Sequence, residues 1–241
     1  MERFSRIIRL IGEDNFNKLK NKKVTVIGAG AVGSYAIEAI ARSGINNIRI
    51  VDYDKVSISN INRQLVALSS TLGISKVKAA KDRILDINPD CQTETYEIFA
   101  HHENFDKIFD NNPDMVVDAI DSLSAKVALV STAHKMGLNF ITSMGAALKI
   151  DPSKIKTGDL FDSDGCSLAR AMRKRLRRLG INQGVKAVYS TEITDYKFRE
   201  DDEIKNDLER GRGRRIMGSL PTIAGIFGLT IANYVIFKLI E

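Results

Sequence analysis

The stretch "KVTVIGAGAVGSYAIEAIARSGINNIRIVD", Lys23 to Asp52, decides the fold. "KVTVIG" is a short apolar run ending in glycine, which reads as a buried strand. Ser34 to Ser43 places Ala36, Ile37, Ile40 and Ala41 on one helical face, and Gly44 stops the helix. "IRIVD" is a second strand. A strand, a helix and a strand in this order form a crossover whose two strands run parallel. Between the first strand and the helix, Gly28, Gly30 and Gly33 keep G-x-G-x-x-G spacing. The first glycine permits a tight turn, the second lets a phosphate approach the backbone, and the third lets helix and strand pack closely. A phosphate bound there rests on free N–H groups at the helix N-terminus.

The alternation continues. A helix over Ser75 to Asn88 ends at Pro89, and "TETYEIF" (Thr93 to Phe99) reads as a strand. "DMVVDAID" and "NFITSMG" read as two more strands, with a helix near Ala125 to Met136 between them. Residues 2–20 read as a helical arm. The fold class is therefore α/β: a Rossmann-like, doubly wound, mainly parallel sheet, with a C-terminal extension of strands and a helix. The whole of 1–241 reads as one domain. Residues 1–20 are its arm, 151–215 a polar, turn-rich set of covering loops with a basic helix, and 216–241 an apolar helix.

With 44% hydrophobic and 27% charged residues, the composition is that of a soluble globular protein. The two cysteines, Cys91 and Cys166, are far apart and form no C-x-x-C, which excludes a zinc ribbon and fits a reducing, cytoplasmic location. The stretch from Ile216 to Phe237 carries no charge and is long enough to span a bilayer. Pro221 at a first helical turn and the small residues Ala224, Gly228 and Ala232 at four-residue spacing favour a buried helix, with peripheral membrane association left open. His101 and His102 fall in a turn where adjacent side chains diverge, which disfavours a metal site.

Asp52 ends the second strand, 24 residues after Gly28. An acid there accepts hydrogen bonds from ribose hydroxyls of any adenosine ligand, so it does not separate NAD from ATP. The following loop does. Asn60, Arg63 and Gln64, then Lys76 after Gly73, bring two cations and amide groups to one crevice, which suits a triphosphate better than a dinucleotide's pyrophosphate. A solvated basic loop is the competing reading. Asp121, at the carboxyl end of "VVDAID", faces the same crevice, and a carboxylate beside phosphates calls for Mg²⁺ between them. Asp118 is its inner neighbour or a turn cap, and Asp54 reads as a turn-stabilising carboxylate.

The run D-x-D-x-V-x-x-S-N-x-x-R-Q, then G-x-x-K, then D-x-x-D, resembles the adenylation domain of the E1-like superfamily, over most of the chain. The resemblance implies that Gly28, Gly30, Gly33, Asp52, Asn60, Arg63, Gln64 and Lys76 bind ATP and that Asp121 holds Mg²⁺. It leaves room for a monovalent cation. "RFSR" is similar to the superfamily's N-terminal arm, which implies a homodimer with Arg6 acting in trans beside Arg63, Lys76 and Asp121 as catalytic residues. Paired C-x-x-C motifs and a catalytic-cysteine domain are absent. In that absence, and in "ARSGINNIRIVDYD", "IDPSKIKTGDL", "SLARAMRKRLR" and "YSTEI", the chain resembles the bacterial subfamily that dehydrates threonylcarbamoyladenosine in tRNA. One local departure is Cys166-Ser167, where the resemblance calls for Asp-Pro ahead of Leu168-Ala169.

A tRNA substrate matches the basic residues. Six cations fall within Arg170 to Arg178 with no acid among them, on a helix whose apolar stripe reads as Leu168, Met172, Leu176 and Leu179. Arg170, Arg173, Lys174 and Arg177, with Arg212 and Arg214 of the charged loop "RGRGRR", are the candidates for an RNA backbone. Other readings stay open: an activator of a ubiquitin-like sulfur-carrier C-terminus, an NAD-dependent dehydrogenase, a nucleotide-binding scaffold, and a requirement for a sulfur-transfer partner.

Overall fold

The computed structural model describes residues 2–194 and 217–241, and beyond them only the backbone of two short paired strands, Ile204–Lys205 and Arg214–Arg215. The charged loop therefore lies largely outside the described residues. Seven strands form the main sheet: β1 (Lys23–Ile27), β2 (Asn47–Val51), β3 (Gln92–Tyr96), β4 (Met115–Asp118), β5 (Phe140–Ser143), β6 (Ile155–Asp159) and β7 (Lys186–Ser190). Their order is β3-β2-β1-β4-β5-β7-β6. Every pair is parallel except β6 with β7.

Side-chain alternation explains the two cores. Val24 and Val26 of β1 enter one cluster, while Ile27 enters the other, as successive residues of a strand face opposite sides. The first side is covered by α3 (Gly33–Arg42), α4 (Lys76–Ile87) and α8 (Pro221–Ile240). The second is covered by α5 (Phe105–Ile108), α6 (Leu123–Lys135) and α7 (Ser167–Arg178). The four residues expected on the inner face of α3 are all buried.

The apolar stretch near the C-terminus becomes α8, which is long and apolar enough to cross a membrane by length and composition, with half of that window buried in the protein. It packs on α3 through its small residues. A Cβ on Gly228 would stand 2.4 Å from the Val32 carbonyl oxygen, so backbone meets backbone there. Phe227 is fully buried, and its truncation to alanine is worth about 3–5 kcal/mol.

Three expectations need correction. The polar stretch after Asp151 contains β6, which pairs along its length with β7 and completes the sheet. Its residues are mostly half-exposed on an edge, so they lack an apolar signature. The N-terminal arm is two helices, α1 (Ser5–Ile11) and α2 (Glu13–Lys20), broken at Gly12. Leu179 lies past the end of α7 and is exposed, so the inner face of that helix is Ala169, Met172 and Leu176.

Candidate active site

Strand order reverses between β1 and β4, and their carboxyl ends open the crevice where α/β sheets bind ligands. The glycines line it for separate reasons. Gly28 has φ +95°, and a Cβ there would stand 2.7 Å from the Ala119 carbonyl oxygen. A Cβ on Gly33 would overlap the Gly28 carbonyl oxygen at 1.7 Å. Around Gly30 the space is open, and the nearest atom to an added Cβ is Gln64 Nε2 at 3.9 Å. The first and third glycines are thus required by the protein's own packing, while the second leaves a backbone surface bare for a ligand.

Asp52 is nearly buried at the end of β2. Its Oδ2 accepts from Ala29 N at 2.7 Å and its Oδ1 from Asp54 N at 2.8 Å. Burial pushes its carboxyl above the usual range, with Lys76 pulling in the opposite direction. Asp54 has a definite role. Its Oδ2 accepts from Lys76 Nζ at 2.6 Å and its carbonyl from Lys76 N at 2.9 Å. Asp52, Asp54 and Lys76 therefore form one chain of contacts from the expected ribose end to the expected phosphate end.

The intervening loop docks on α3 through Leu65 N, which donates to Ser34 Oγ at 3.0 Å. Asn60 closes a 3₁₀ turn by accepting from Ser57 N at 3.1 Å. Arg63 donates to the Ser59 carbonyl and to Asn62 Oδ1, both at 2.9 Å, and pairs with no carboxylate among the described residues. Gln64 is buried, and its Oε1 finds no donor among the described residues. An acceptor left so beside Gly30 fits a hydroxyl-bearing ligand.

Asp118 and Asp121 divide their roles. Asp118 is sealed at the end of β4, its Oδ2 accepting from Lys126 Nζ at 2.7 Å and from Thr142 Oγ1 at 2.6 Å. Its Oδ1 accepts from Ile120 N at 3.1 Å. With both oxygens engaged, Asp118 is a turn cap and a charge partner. Asp121 is the exposed carboxylate of the two, a hard oxygen donor of the kind Mg²⁺ takes. Lys126 escaped the reading of the sequence. It is completely buried, which pulls its pKa down, while Asp118, Asp121 and Cys166 oppose that. A signal existed: Lys126, Val130 and Ala133 fall on one face of α6, and all three are buried.

Several predicted residues stand apart from the crevice contacts. Arg6 is exposed on α1. On α7, Arg170, Lys174, Arg175, Arg177 and Arg178 are exposed, and none of the helix's cations pairs with an acid among the described residues. Arg173 differs, since its Nη1 donates to the Ser163 carbonyl at 2.7 Å and ties the helix to the preceding loop. Arg212 lies outside the described residues, and of Arg214 only the backbone is described. Cys166 caps α7, its Sγ accepting from Ala169 N at 3.5 Å, which gives the departure from Asp-Pro a local structural use. His101 and His102 do not diverge: their ring centroids are 3.9 Å apart, and with Glu103 their ligand atoms lie within 4.8 Å of one another.

Comparison with known proteins finds relatives over the whole chain. The model of the ThiF family matches residues 4–241. The tRNA threonylcarbamoyladenosine dehydratase of Bacillus subtilis is 38% identical, over 100% of this chain and 96% of its own length. The crystal structure of Escherichia coli tRNA N6-threonylcarbamoyladenosine dehydratase in complex with ATP superposes with a TM-score of 0.88 at 30% identity, covering 99% of this chain and 93% of that one. The same enzyme in complex with AMP gives 0.89, covering 99% and 94%.

Proposed function

The chain belongs to the ThiF family, and from that premise we propose that it is an ATP-dependent dehydratase of threonylcarbamoyladenosine in tRNA. The observation that carries this reading is the bare backbone at Gly30, beside Gln64 at the switch point of the sheet, followed by a loop whose Arg63 pairs with no carboxylate among the described residues. Such a site takes a nucleotide whose phosphates are held in place and made reactive.

The threonyl carboxylate of the modified adenosine attacks the α-phosphorus of ATP, forming an acyl–phosphate bond as pyrophosphate leaves. The carbamoyl nitrogen then attacks the acyl carbon and gives up its proton to solvent, the ring closes, and AMP departs with the carboxylate oxygen. ATP cleavage thereby removes the elements of water. The second step is intramolecular, so proximity replaces an enzyme nucleophile, in keeping with two cysteines that are both buried. Asp52 accepts from the ribose. Asn60, Arg63 and Lys76 hold the phosphates, and Gln64 accepts from a hydroxyl of the nucleotide. Asp121 would hold Mg²⁺, which neutralises developing charge on the phosphates when bound. Arg6 completes the site from a second copy of the chain, and the exposed cations of α7 receive the tRNA backbone. A cytoplasmic location follows from the tRNA substrate.

Mass spectrometry of tRNA nucleosides from a deletion strain tests the substrate, with accumulation of the linear base and loss of the cyclic one expected. Purified Arg63→Ala and Asp121→Ala proteins should remain folded and form no AMP. Wild-type turnover by either would end the assignment. AMP formation driven by a ubiquitin-like protein, and not by tRNA, would move it to protein activation.

A further inference from the structure

We propose that Lys126 is a positioning residue: anchored to Asp118 and Thr142, it holds the 118–121 turn against the glycine loop and so directs the Asp121 carboxylate to the phosphate crevice. The inference rests on the reading of the crevice as an ATP site.

The contacts converge on that turn from both sides. Lys126 Nζ donates to Asp118 Oδ2 at 2.7 Å and to Thr142 Oγ1 at 2.9 Å. Thr142 lies on β5 in direct register with Asp118 on β4, and its own hydroxyl donates to the same oxygen. The other oxygen, Oδ1, is left to grip Ile120 N. On the far side, Ala119 N donates to the Ile27 carbonyl at 2.8 Å, and the Ala119 carbonyl lies where a side chain on Gly28 would be. The turn is therefore clamped between an ammonium and the glycine loop, and Asp121 is its last residue.

Stability alone does not call for this arrangement. Lys126 and Asp118 are 0% and 1% exposed, and a pair so dry gives up much of its attraction to lost hydration. Apolar side chains of similar size commonly replace such a pair at no loss of stability. What apolar side chains cannot do is aim a carboxylate oxygen at Ile120 N. The pair thus fixes one geometry of the turn, and the geometry serves the residue that follows it.

The double variant Asp118→Leu/Lys126→Met removes both charges together and leaves no unpaired ion in the core. We expect a cooperative melt close to wild type and ATP binding without Mg²⁺ changed by less than about threefold, whereas the MgCl₂ concentration that half-maximally tightens ATP binding rises about tenfold or more. AMP formation falls with it. Thr142→Val, which leaves the charge pair in place, should shift the same midpoint by about threefold and decides the matter if the double variant does not fold. An unchanged MgCl₂ midpoint in Thr142→Val, or in the folded double variant, overturns the proposal. Wild-type protein that binds ATP with MgCl₂ but forms no AMP from tRNA would sink the dehydratase reading and leave this one standing on binding alone.

Discussion

Lys126 and Lys76 both stand near the start of a helix, both are buried, and each bonds to one aspartate, but the two aspartates live in different surroundings. Asp118 is 1% exposed at its side chain, and Asp54 is 44% exposed. A sealed ion pair cannot exchange partners, because each ion would be left in the core without water. A half-open pair can. If Lys76 turns to a phosphate, as the proposed function has it, Asp54 rehydrates at little cost. Two pairs of the same chemistry are thus proposed to do opposite things: one to fix a turn, and the other to keep a cation at the edge of the site until a ligand claims it.

The comparison breaks most visibly in stability. Lys126→Met strands the Asp118 carboxylate and should cost about 3–5 kcal/mol in a denaturant melt, whereas Lys76→Met should cost under about 1 kcal/mol, because its partner is hydrated. Equal losses would mean that the two pairs do not differ as described. The next effect is catalytic. Asp54→Asn should leave the melt within about 0.5 kcal/mol of wild type and slow AMP formation by about tenfold, as Lys76 loses its registration toward the phosphates.

A third test uses pH. Burial raises the Asp52 pKa, so the carboxylate is protonated at a higher pH than an exposed aspartate. ATP affinity, measured by equilibrium dialysis, should fall as pH drops through that raised value, approaching tenfold per pH unit below it. Asp52→Asn should flatten the response. For folding the sign reverses. The folded state holds this proton more tightly than the unfolded chain, so ionisation of Asp52 with rising pH removes stability, between the ordinary aspartate pKa and the raised one. The smallest expected effects lie on α7, whose exposed cations the proposed function assigns to the tRNA backbone. Lys174→Gln or Arg177→Gln should each weaken tRNA binding about two- to threefold and reduce the salt dependence by about one counterion.

Much of the crevice is legible in the sequence. The glycine spacing, Asp52 at a strand end and the amphipathic face of α3 follow from local periodicity, and the structure places them as that periodicity requires. The role of Asp54 was not legible. Its partner lies 22 positions away, brought close by the pairing of Lys55 with Ser75, which no local pattern announces. β6 was missed because a half-exposed edge strand mixes polar residues and glycine in the manner of a loop. Lys126 was missed for the opposite reason: a charged residue in a helix reads as surface, and only its alignment with Val130 and Ala133 betrays that it points inward.

The packing of α8 on α3 has a consequence for how the protein is made. Gly228 lies against Val32 O and Ala36 N, at the first turn of the helix that the glycine loop leads into. The ribosome delivers that loop early and its brace long afterwards. A nascent chain that ends before Pro221 carries every residue assigned to phosphate binding but lacks the helix that packs on the first turn of α3. The packing around the first turn of that helix is thus completed only by the last element of the chain to be made.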